Sequence, residues 1–120
     1  MKYFSELASI KAINAETVLA SASYTSSEIS CSLIDGYFSL QVEVTGDGTC
    51  KFEALPSNDG TNFLDTEPDI LTSQTKTTGP ASDGKNFVSF ELPACRSFKL
   101  KVTETGGVSS VIVSAWVKAQ

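Results

Sequence analysis

Histidine is missing altogether from this chain of 120 residues. Its absence removes the commonest general base, the Ser-His and Cys-His nucleophile couples, and the imidazole ligand on which most zinc sites rely. Cysteine is scarce: Cys31, Cys50 and Cys95 are the only three, and no two form a C-x-x-C pair. Zinc-knuckle and thioredoxin-type motifs are thereby excluded, and an odd count opposes a secreted disulfide framework. Each cysteine lies within or beside an apolar segment and reads as a small buried hydrophobe. A Cys31–Cys50 bridge is left open. Positive charge is also short, with nine Lys and Arg against fourteen Asp and Glu and a net charge of -5. That balance opposes the phosphate backbone, so no nucleic-acid partner is expected. Long apolar runs are lacking too. Nothing approaches the ~20 residues of a membrane span, and "MKYFSELASIKAINAETVLA" has no continuous apolar stretch of a signal peptide. The expectation is a chain made in a reducing cytoplasm, with no membrane partner.

What is present is a core. Hydrophobic residues are 41% of the chain, too many for a disordered composition, and this length suits one domain without staples. Period-two alternation dominates from residue 37. In "YFSLQVEVTG", Phe38, Leu40, Val42 and Val44 point one way and Ser39, Gln41 and Glu43 the other. "TGDGT" then carries Asp47-Gly48, a strong signal for a type I′ hairpin turn. "TCKFEAL" continues the pattern, so residues 37–55 are expected to form one β-hairpin.

"LPSNDGTNF" follows, with a proline and then Asn58-Asp59-Gly60, residues that tolerate a left-handed backbone. Residues 65–85 are polar and Thr-rich, with Ile70 and Leu71 as apolar anchors, and are expected to drape over one end of the sheets. "NFVSFEL" and "RSFKLKVTE" resume the alternation through Val88, Phe90, Leu92, Phe98, Leu100 and Val102. In the last strand, Val111, Val113, Ala115 and Val117 share one face, and Ile112, Ser114, Trp116 and Lys118 the other. Apolar groups on both suggest cover on both sides. Weaker strands fall around residues 18–22 and 28–33. The reading is an all-β chain: an antiparallel, jelly-roll-like β-sandwich of seven to eight strands over residues 21–120. An N-terminal arm or short helix precedes it over residues 1–20, with Tyr3, Phe4, Leu7 and Ile10 at helical spacing. Phe38, Leu40, Val42, Phe52, Phe90, Leu100 and Val113 are the expected core.

Catalytic constellations are thin. The loop acids Asp47, Asp59, Asp65, Glu67 and Asp69 are hard oxygen ligands that calcium accepts, but they lack EF-hand spacing, and turn chemistry explains "SNDG" equally well. Glu43 and Glu53, on wet faces of the expected hairpin, would meet across it without a cleft to desolvate either, as glycoside hydrolysis requires. There is no G-x-S-x-G elbow, and "TGDGT" has no P-loop lysine. An enzyme is therefore not expected, nor a cofactor or metal. Two aromatics stand on outward strand faces, Tyr37 beside Ser39 and Gln41, and Trp116 opposite the last strand's valine stripe. A Trp there is covered by other segments, makes a subunit contact or stacks on a sugar ring.

Residues 23–120 carry a recurring series: "YTSSEIS", "DGYFSLQVEVTGDGTCKFEALPSNDGTNF", "TKTTGPASDGKNFVSFEL" and "FKLKVTETGGVSSVIVSAWV". This series resembles small β proteins encoded among the virion genes of tailed bacteriophages and prophages. Cys31, Cys50 and Cys95 depart from it, standing where small or apolar residues are usual. The resemblance implies a non-enzymatic virion structural protein, made in the host bacterial cytoplasm and residing in the virion. Such a protein decorates or cements a capsid, or belongs to a tail. Its expected partners are itself, as a symmetric homo-oligomer such as a trimer, and major capsid or other virion proteins. Interface candidates are Tyr3, Phe4, Leu7 and Ile10 in the arm, with Tyr37 and Trp116. The alternative is a carbohydrate-binding module on a phage tail or cell surface, using Tyr37 or Trp116.

Overall fold

The computed structural model describes residues 9–31, 37–65 and 70–119. Among them are nine strands: β1 (Ile10–Val18), β2 (Ser23–Thr25), β3 (Ile29–Ser30), β4 (Tyr37–Thr45), β5 (Cys50–Ser57), β6 (Ile70–Gln74), β7 (Lys85–Glu91), β8 (Ser97–Glu104) and β9 (Val111–Ala119). They form two sheets, ordered β1-β9-β4-β7 and β2-β8-β5-β6, with β3 also on β8. Every pairing is antiparallel. The chain changes sheet after β1, β3, β4, β6, β7 and β8, which rolls it into the expected jelly-roll sandwich.

The core lies between the sheets because period two points alternate side chains inward. Leu40, Val42, Phe52, Leu100 and Val113 are fully buried, and Phe38 nearly so. Phe90 is half-buried against them, stacked on Phe38 at 5.0 Å with Phe98 edge-on to both. Offset and edge-on arrangements suit aromatic quadrupoles.

Four expectations need correction. Residues 37–55 are not a hairpin: β4 and β5 belong to opposite sheets. Among the turn residues 46–48, only Gly46 has positive φ, at 92°, so Asp47-Gly48 is not a type I′ turn. The glycines instead permit a close backbone approach. A Cβ on Gly48 would meet the Ser109 carbonyl at 2.5 Å, and one on Gly46 the Ser110 carbonyl at 2.8 Å.

The expected arm is the second correction, since Ile10–Val18 forms β1 and pairs with β9. Its alternation is hidden by register shifts between Lys11 and Ile13 and between Ile13 and Glu16. Ala15 sits there at φ 49°, and its N–H donates to Ser114 Oγ at 2.9 Å. Bulges of this kind break period two. Ile10, Ile13 and Val18 all enter the core. Tyr3, Phe4 and Leu7, and the short helix proposed with them, lie outside the described residues.

Third, β9 is not covered on both sides, because Ile112 is 45% exposed. Fourth, the polar excursion contributes β6 to the edge of the second sheet, with Leu71 and Gln74 turned inward and Ile70 outward.

Candidate functional site

The outer face of the β1-β9-β4-β7 sheet gathers the exposed aromatics. Register aligns one row across all four strands: Lys11 opposite Trp116, Trp116 opposite Gln41, and Gln41 opposite Phe87. Phe87 is 64% exposed, and Trp116 is half-buried with the Lys11 ammonium 4.8 Å from its ring centroid. Two strand spacings separate Trp116 from Phe87, roughly 10 Å. Between them lies a hollow of about 380 Å³ floored by Ser39, Gln41 and Lys118.

The trough continues toward the start of β4. Ser39 stands opposite both Lys118 and Ser89, and Tyr37 opposite Glu91. These five side chains line a second hollow of about 820 Å³. Ser39 and Lys118 border both hollows. Tyr37 is half-exposed, on the same strand face as Gln41 and about 13 Å from it. Three aromatic walls thus flank a floor of hydroxyls, an amide, an ammonium and a carboxylate. In the other direction the face carries Ile112, between Thr17 and Thr45.

The sheet therefore brings together Tyr37 and Trp116, the two strand candidates. It does not bring Ile10, which faces the core at 8% exposure. Phe87, Gln41 and Lys118 were missed as site residues. Their outward direction was readable from period two, since Phe87 precedes inward Val88. Their meeting with Trp116 was not, because it depends on strand register between distant segments.

The other carboxylates do different work. Glu43 and Glu53 lie on opposite sheets, so the expected meeting across a hairpin does not occur. Glu43 faces Lys85 at 3.8 Å, while Glu53 is buried near Lys51 at 3.6 Å. Asp59 organises its own turn. Its Oδ1 accepts from Ser57 Oγ, Thr61 N and Asn62 N at 2.8–2.9 Å, and Oδ2 from Asn62 Nδ2 at 2.7 Å. These donors, Asn62 and Thr61 first, hold its carboxyl below the usual range. Gly60 follows at φ 74°. The turn explanation of "SNDG" thus has its physical basis in backbone geometry. Among the described residues, no three Cys, Asp or Glu converge as metal ligands.

No protein-family model matches the chain, and no curated protein does. Among solved structures, it is similar to PliG of Aeromonas hydrophila, a periplasmic inhibitor of g-type lysozyme, at 15% identity and a TM-score of 0.49. That match covers 99% of this chain and 98% of the other. It is also similar to carbohydrate-binding module CBM36, solved with calcium and xylotriose, at 12% identity and a TM-score of 0.48. Coverage there is 95% of this chain and 100% of that one.

Proposed function

We propose that this chain is a non-catalytic binding module that takes a carbohydrate along the trough of the four-stranded sheet. The aligned row of Trp116, Gln41 and Phe87 carries the reading. A sugar has an apolar C–H face and a rim of hydroxyls. Aromatic rings receive the first, and an amide, serine hydroxyls and charged tips receive the second. A surface built mainly for protein contact has a drier centre. Glu91 and Lys118 at the Tyr37 end add an acceptor and a donor for the hydroxyl rim of a sugar.

The test is a glycan array followed by calorimetry on hits. Trp116→Ala and Phe87→Ala should each weaken binding at least tenfold, about 1.4 kcal/mol, with little change in melting temperature because both side chains face outward. Full affinity in both variants would remove the trough from consideration.

A second reading, that of a virion component, is supported by the resemblance over residues 23–120. On this face it is favoured by exposed Ile112 beyond the trough. It has the face packing on a capsid or tail protein, in a symmetric assembly. Co-sedimentation with purified particles, lost on Ile112→Lys and indifferent to glycan competitors, is its expected signature.

A further inference from the structure

The Cys31 and Cys95 sulfurs lie 3.8 Å apart, although 64 positions separate the residues. Cys31 follows β3, and its N–H donates to the Arg96 carbonyl at 2.9 Å. Cys95 immediately precedes Arg96 in the connection from β7 to β8. That backbone bond keeps the two segments side by side. Both residues are free thiols. They differ in access: Cys31 is buried, whereas Cys95 is half-buried and opens onto a hollow of about 390 Å³ beside Pro56, Asn62 and Pro93.

We propose that Cys31 and Cys95 are a dithiol pair that closes to a disulfide by exchange with a small-molecule disulfide, locking the end of β3 to the β7–β8 connection. The Cys95 thiolate attacks one sulfur of the oxidant, oxidised glutathione being the probe, and one glutathione thiolate leaves. The Cys31 sulfur then attacks the Cys95 sulfur, breaks the mixed disulfide and expels the second glutathione, which takes the Cys31 proton. The protein loses two electrons and two protons, and one glutathione disulfide becomes two thiols.

The environments divide the roles in the same way. The neighbouring Cys31 thiol holds Cys95 below the ordinary range, while Cys31 is pushed up by that same contact first and by burial second. The reachable sulfur is therefore the nucleophile and the buried one resolves the intermediate. Cys50 does not compete. It is fully buried at the start of β5, its sulfur directed at the Gln74 carbonyl at 3.7 Å, and burial followed by the Glu104 charge pushes its thiol up to about 12.

The experiment uses the folded full chain in glutathione redox buffers, with intact mass, denatured thiol titration and peptide mapping. Expected is the loss of two hydrogen masses, one titratable thiol remaining of three, and a linked Cys31–Cys95 peptide. The melting temperature should rise on the order of 10 °C, reversibly with dithiothreitol. Cys50→Ser should behave like the parent, and Cys31→Ser should stop at the glutathione adduct on Cys95. Three free thiols in fully oxidised buffer, a stable glutathione adduct in the parent, or a bridge using Cys50 would each overturn the proposal.

Discussion

Two carboxylates, at opposite ends of the β5–β8 ladder, do the same chemistry at different range. Asp59 accepts hydrogen bonds from residues two before it to three after it. Glu104 accepts four backbone N–H groups from three separate segments: Ser21 at 3.0 Å, Thr49 at 3.0 Å, Gly106 at 2.8 Å and Gly107 at 2.7 Å. Two of those donors lie 83 and 55 positions away. Glu104 is 1% exposed, and it ties the β1–β2 turn and the β4–β5 connection to the turn after β8. One acid closes a loop on itself; the other closes an end of the sandwich.

The largest expected effect follows from removing the long-range acid. Glu104→Ala leaves four donors without an acceptor at a buried position, and unmet donors cost more than met ones contribute. Its melting temperature should fall by on the order of 10 °C or more, far more than for Asp59→Ala, whose donors turn to water. Acid sharpens the contrast. Backbone N–H groups, that of Ser21 foremost, hold Glu104 at about 2 against an ordinary 4.5. A carboxyl depressed in the folded state contributes stability that is complete above its ordinary value. That stability is lost as pH falls from about 4.5 toward 2. Urea melts at neutral and acid pH should show this loss in the parent and a flatter acid limb in Glu104→Gln. Equal slopes in parent and variant would discount the latch.

The glycines at the two ends differ in the same way. Gly48 is needed for space, since any Cβ there meets the Ser109 backbone, which cannot swing aside. Gly60 is needed for its φ of 74°, while the nearest atoms are the Arg96 guanidinium at 3.1–3.4 Å, a flexible tip. Gly48→Ala should therefore cost about 1–3 kcal/mol as overpacking, and Gly60→Ala about 1 kcal/mol as left-handed strain. Asn substitution separates the causes, because Asn tolerates that φ but adds bulk. Gly60→Asn should recover most of the loss and Gly48→Asn none, read by chemical denaturation.

This contrast also marks what the sequence made legible. The Asp59 turn was readable because its partners sit within "SNDGTN". The strand faces were readable because period two is local. Glu104, inside "VTETGG", gave no signal, for nothing nearby announces donors from Ser21 and Thr49. Alternation assigned β4 and β5 their inward residues but not their sheets, so two strands joined by a short Gly-rich connection passed for a hairpin. The β1 bulges at Lys11 to Glu16 erased the pattern that would have revealed a strand. The trough suffered likewise: Tyr37 and Trp116 stood out singly, while Gln41 and Phe87 became site residues only once β4 was flanked by β9 and β7.

The smallest effect belongs to Asp59, and it tests whether that end is organised by geometry or by a ligand. Asp59→Asn keeps one acceptor oxygen, yet places an amide N–H₂ where Asn62 or the Thr61 N–H now donates. The turn also has other support, since Gly60 N donates to Ser57 Oγ at 3.0 Å and Arg96 Nη1 to the Asp59 carbonyl at 3.2 Å. Asp59→Asn should thus lower the melting temperature by only a few degrees, and by less as pH falls below the ordinary carboxylate value, where the stability linked to the parent's depressed carboxyl is progressively lost. If the turn is held by its own donors, added calcium changes the melting temperature of neither protein. A calcium-dependent rise in the parent that vanishes in Asp59→Asn would mean that a cation draws those oxygens away from the backbone.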